Sequence, residues 1–260
     1  MRTGESADRY RGPGVQTGPM FEAAGWGAIS SATLMVGAII AYLLRPSPRL
    51  TAAVMAIGSG LLIGSVAYDL VADARHSLQL PWVAVSLMLG ATVFVLGSRL
   101  IEKVGGRHRK SPAGKGDDNP LGIVLGSALD GIPESFVLGL SVLSGGVSLP
   151  LLAGIGLSNL PEGMAASAGL RSRGWPVGRV MLMWSAVVAT SAFAAGLGHT
   201  VLASDDGTLT GVVQTFAAGA LLAMISDTMI PESYEVERVW TGGLVVGGFA
   251  ASLLIAAALT

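Results

Sequence analysis

No cysteine occurs anywhere in the 260 residues. Disulfides and thiolate metal ligands are therefore excluded, and the redox character of the compartment stays open. Charge is scarce as well. Asp, Glu, Lys and Arg make 13% of the chain, about half the share of an ordinary soluble domain. Aromatics make only 6%, and no basic stripe is interleaved with them, which argues against a nucleic-acid interface. Histidine appears at His76, His108 and His199 and nowhere else. H-E-x-x-H and G-x-S-x-G are absent, and no histidine lies within reach of a nucleophile inside an apolar segment, so the reading is not an enzyme and calls for no prosthetic cofactor.

What is present is apolar sequence, 51% of the chain, with mean hydropathy +0.63 and 37 glycines. Abundant glycine suits helices that approach closely inside a bilayer. A helix needs about 20 mostly apolar residues to cross one. Eight segments qualify, roughly 24–44, 51–71, 81–101, 120–143, 149–170, 178–202, 208–231 and 239–259. The expected fold class is an all-α integral membrane protein, an eight-transmembrane-helix bundle spanning 24–260. Residues 1–23 are polar and rich in Pro and Gly, and read as a disordered N-terminal tail.

Orientation follows from Lys and Arg. Arg2, Arg9, Arg11 and Arg75 fall on one side. The other twelve of the 16 basic residues flank the loops after the first, third, fifth and seventh spans. Both termini are therefore expected outside, extracellular or periplasmic, and the 102–119 loop in the cytoplasm. The expected location is a multi-pass protein of the plasma (inner) membrane. Small-residue faces allow a homodimer without locating its interface.

The chemistry lies in two stretches, LDGIPESFVLGL (129–140) and LSNLPEGMAASAGL (157–170). A charge at mid-bilayer costs at least about 2.5 kcal/mol on insertion scales, yet Asp130, Glu134 and Glu162 sit near the centres of their spans, with no Lys or Arg in either span to neutralise them. Asp130 and Glu134 are four apart and share a helix face, as do Ser158 and Glu162, with Asn159 beside them. A short loop makes the two helices antiparallel neighbours whose polar faces can converge. Pro133 and Pro161 each precede a glutamate and free a backbone carbonyl one turn up, near Leu129 and Leu157. Gly131 and Gly163 admit another backbone closely. Three readings follow: protonated acids that serve packing, a proton relay, and a divalent-cation site built from carboxylates, hydroxyl, amide and freed carbonyls. The third is preferred, because two or three carboxylates among neutral oxygens make an oxygen-rich cage.

The pair LDGIPES and LSNLPEG resembles the paired His-Asn-x-Pro-Glu-Gly signatures in the fourth and fifth helices of the ZIP family of metal transporters. DTMIPES (227–233) is similar to the acidic-Pro-Glu stretch of the family's seventh helix, and AYDLVADA (67–74) to its second-helix segment. The resemblance covers about 24–259. It implies an eight-helix bundle of ZIP type that moves divalent ions toward the cytoplasm, without ATP, by alternating access. Zn²⁺, Mn²⁺, Fe²⁺ and Cd²⁺ are its implied partners, carried as substrate. By position, Glu134 and Glu162 match the family's metal-binding glutamates. Asp130 stands where the family usually has His, Gly131 where Asn is usual, and Ser158 where His or Gln is usual, while Asn159 keeps the polar position after it. Asp69 and Asp227 join the expected metal-site residues from the second and seventh helices. The sixth span, VVATSAFAAGLG, carries no acid where many relatives have one, and Thr228 follows Asp227 where Glu is common.

With almost only oxygen at the core, the site is expected to tolerate harder ions such as Mn²⁺, with Fe²⁺ or Zn²⁺ also possible, and to select zinc less strongly than a His-bearing relative does. Glu232, Glu235 and Glu237 read as a solvated acidic run. Two other function classes stay open: a proton-coupled solute transporter on a similar bundle, and a non-transporting metal sensor.

Overall fold

The computed structural model describes residues 17–103, 120–143, 147–202 and 207–259. Among these residues the backbone is helical and contains no strand. In chain order the helices are α1 (Thr17–Leu43), α2 (Pro48–Ser77), α3 (Leu80–Lys103), α4 (Pro120–Leu143), α5 (Leu149–Ser172), α6 (Val177–Leu202), α7 (Thr208–Glu237) and α8 (Trp240–Leu259). All but α5 are long and apolar enough to cross a membrane, which makes the chain a multi-pass helical membrane protein. The expected count of eight spans is thus met in seven. Helix α5 has 24 residues, ample length, but its apolar content is diluted by Ser158, Asn159, Glu162 and Ser167, all buried within the bundle.

Several boundaries differ from the sequence reading. Helix α1 begins at Thr17, so residues 17–23 are helical rather than tail. The rest of that tail, and residues 104–119 of the long loop, lie outside the described residues. Helices α2 and α7 run past their expected ends at 71 and 231, each reaching 30 residues. Each also contains a π-helical turn, Val66–Val71 in α2 and Ile225–Met229 in α7. In α7 the cause is legible: Pro231 lacks an N–H, and its ring presses on the carbonyl four residues back, at Asp227. In α2 nothing local marks the turn.

Two serine caps open helices in the same way. Ser47 accepts from the Leu50 N–H at the start of α2, and Ser148 accepts from the Leu151 N–H at the start of α5, each with a proline in the first turn. Both satisfy an orphan donor.

Helix α1 packs on α5 and α6, α4 on α6, α2 on α8 and α5, and α3 on α7. Glycines set the closeness of three of these contacts, and they do so reciprocally. A Cβ on Gly37 would strike the Leu160 carbonyl, and one on Gly163 would strike the Leu34 carbonyl, across α1 and α5. Gly60 and Gly248 do the same between α2 and α8, and Gly90 and Gly219 between α3 and α7. Backbone meets backbone there, which is how helices gain contact when lipid tails compete for apolar side chains.

Two apolar clusters form the core. One gathers Met55, Leu62, Phe94, Leu138, Leu151, Ile155 and Leu221. The other gathers Leu34, Ile123, Leu170, Val180 and Trp184. Along α4 they are reached at Ile123 and at Leu138; along α5, at Ile155 and at Leu170. The two proline-glutamate stretches lie between them on both helices.

Candidate functional site

The polar layer between the two apolar clusters is buried. Asp130 and Glu134 are each 2% exposed and Glu162 is 3% exposed; Ser158 and Asn159 are buried beside them. Pro133 and Pro161 both lie inside continuous α-helices, so neither proline ends its element.

The contact that joins the two motif helices was not among the expected residues. Ser127, on α4 one turn before Asp130, donates its hydroxyl to Glu162 Oε1 on α5 at 2.8 Å. An antiparallel register that pairs Ser127 with Glu162 places Asp130 at the level of Asn159, Gly131 at that of Ser158, and Glu134 about one turn further along, at the level of Ile155. Asn159 donates from Nδ2 to the Ser30 carbonyl of α1 at 3.4 Å, an acceptor that also takes the Thr33 hydroxyl. Ser158 donates to its own helix, at the Ile155 carbonyl.

The neighbours of this layer are small. Ser191 of α6 lies 3.2 Å from where a Gly131 Cβ would stand, so the α6 position facing the site carries a hydroxyl rather than an acid. Gly58 of α2 packs against the Leu157 carbonyl and the Ser158 amide. The carbonyl that Pro161 releases is thereby covered by a glycine backbone. Among the described residues no three of His, Asp and Glu gather closely enough to hold a metal ion by themselves. The acids share a layer without forming a three-carboxylate cage in this arrangement.

The outlying expected residues fall elsewhere. Asp69 sits half-buried in the π-turn of α2 and accepts the Ser148 hydroxyl at 2.5 Å. Ser148 is fourteen residues from Glu162 along α5, roughly 21 Å at the helical rise. Asp69 is therefore at one end of the bundle and not in the central layer. Asp227 is exposed on the π-turn of α7. Glu232 corrects the sequence reading: it is 6% exposed, next to buried Ser233, whereas Glu235 is exposed. His199 is buried on α6, its Nδ1 without a hydrogen-bond partner among the described residues, and His76 is exposed.

Sequence comparison places this arrangement beside a known protein. Over 212 residues, the chain is 24% identical to an Arabidopsis thaliana protein named "Putative zinc transporter". The chain resembles a zinc-transporter-like protein. The matched region is 80% of this chain and 34% of the plant protein, so the chain spans about a third of that relative's length. No family model matches the chain.

Proposed function

We propose that the chain is a ZIP-type carrier that moves divalent cations toward the cytoplasm by alternating access. The observation that carries the reading is the buried layer itself: Asp130, Glu134 and Glu162 lie at mid-helix between two apolar clusters, with Ser127 linking Glu162 across α4 and α5. Buried carboxylates are costly in a membrane and mark ion pathways. A divalent cation offsets that cost by exchanging hydration water for fixed oxygens. Because three carboxylates do not converge here, Ser158, Asn159 and backbone oxygens would complete the shell. Such a shell takes Mn²⁺ and Fe²⁺ as well as Zn²⁺ and Cd²⁺. Asp69 would act at the mouth by the α4–α5 connection, and Asp227 at the α7 π-turn.

The test is uptake into proteoliposomes of Zn²⁺, Mn²⁺, Fe²⁺ and Cd²⁺ in turn, wild type beside Glu134→Gln and Glu162→Gln. Wild type is expected to move at least one ion. Each variant is expected to lose about tenfold or more, since removing a charged partner costs about 1.5–3 kcal/mol. Uptake that ignores a chelator and collapses with the proton gradient would favour a proton-coupled solute carrier instead. Binding without flux would favour a sensor.

A further inference from the structure

A cavity of about 400 Å³ opens at the end of the bundle where α1 turns into α2. Its floor is apolar, from Ala41, Pro46, Met164, Ala165 and Ala168, and its charged walls are Arg45 and Arg171. Two arginines thus line one cavity in a chain with few charges, and among the described residues neither pairs with a carboxylate. Arg171 gives one N–H to the Ala41 carbonyl at 3.0 Å and lies 5.7 Å from the centre of the Tyr42 ring. A guanidinium carries five N–H donors in a fixed fork, so most of Arg171 is uncommitted. Arg45 is exposed and makes no such bond among the described residues. Its backbone is left-handed, with φ of 49°, a region that non-glycine residues seldom adopt and that concentrates at ligand sites. The two hydroxyls on the walls are already spent: Thr51 donates to the Ser47 carbonyl and Ser172 to the Gly169 carbonyl. Among the described residues the cavity therefore offers cationic donors, no competing anion, and an apolar lining.

We propose that this cavity binds a phosphate group, held between Arg45 and Arg171. Guanidinium forks match the several oxygens of a phosphate, which can accept from both arginines at once. Basic pockets between membrane helices take phospholipid headgroups, and the apolar floor here suits the glycerol and acyl part of such a molecule. A free phosphate satisfies the same two arginines without using the floor. Met164 and Ala165 follow Glu162 on α5 by two and three residues. The apolar lining therefore comes within about one helical turn of the buried carboxylate, and a phosphate held further out, at Arg171, would neutralise the positive mouth of the path beside it.

The test uses the purified full chain in detergent. In one arm, dioleoyl phosphatidic acid is titrated and retention read by native mass spectrometry, against phosphatidylcholine, whose phosphate is balanced by its choline. In the other, inorganic phosphate is added at constant ionic strength and thermal unfolding is followed. Arg45→Gln is the decisive variant, because that side chain holds nothing else among the described residues. Arg45→Gln is expected to weaken binding by about fivefold, and the double variant with Arg171→Gln by about twenty-five-fold, at roughly 1 kcal/mol for each basic residue. Arg45→Lys, which keeps the charge but not the fork, should fall between wild type and Arg45→Gln, and Arg75→Gln, at the far end of α2, should keep all of the affinity. Retention of phosphatidic acid alone with this pattern identifies a lipid site; stabilisation by inorganic phosphate with the same pattern identifies a soluble anion site. No binding in either arm, equal binding by wild type and double variant, or an equal loss in Arg75→Gln overturns the proposal. The readout needs no metal, so it stands or falls separately from the transport reading.

Discussion

Glu162 meets Ser127, and this single contact separates what one residue can disclose from what only a pair can. Asp130, Glu134 and Glu162 announce themselves, because a carboxylate inside an apolar run needs a reason. Ser127 does not. Serines in apolar helices commonly donate to their own chain one turn back, as Ser59, Ser141 and Ser158 do here. Only the neighbouring helix shows that Ser127 turns outward to a carboxylate instead. Ser127→Ala should leave the fold intact and weaken the apparent affinity for the transported ion by about tenfold, the usual loss when a group that orients a ligand is removed. Uptake titrations of the variant would show it; an unchanged half-saturation concentration would reduce Ser127 to packing. Glu232 was misread for a related reason. The run ESYEVE looks solvated, but its first residues still lie under α2, and burial changes within one turn.

At the scale of the element, two helix starts carry local signals in the sequence, whereas a turn inside a helix need not. Ser47-Pro48 and Ser148-Leu149-Pro150 carry the signals of a capped first turn, and both caps form. The π-turn of α7 has Pro231 behind it, but that of α2 has no local marker, since an extra residue in a helical turn is settled by what packs around it. The caps also differ in duty. Ser47 holds only its own helix, whereas Ser148 also donates to Asp69 on α2. Ser47→Ala should cost about 1 kcal/mol. Ser148→Ala should cost about 2 kcal/mol, because a half-buried carboxylate loses a partner as well. Denaturant unfolding in detergent compares the two, and equal losses would mean that the Asp69 contact adds nothing.

For the whole molecule, the sequence led to a helical membrane bundle, and among the described residues seven of its eight helices qualify as spans on their own. Helix α5 is the exception because its polar residues are paid for by neighbours, chiefly α1 and α2, rather than by its own apolar surface. Offered alone to the insertion machinery, Leu149–Ser172 should enter the membrane poorly, and in the full chain it should enter well. Glycosylation sites engineered on either side of the segment would report the difference; efficient insertion in isolation would contradict it. The same dependence on neighbours runs through the paired glycines, Gly37 with Gly163, Gly60 with Gly248 and Gly90 with Gly219. In the language of a written message, these are spaces rather than letters. Any character placed there spoils the line, even alanine, while outward residues such as Leu96 on α3 and Leu254 on α8 accept other apolar spellings. A record of tolerated substitutions along this chain would therefore be permissive at its outward apolar side chains and strict at glycines that have none.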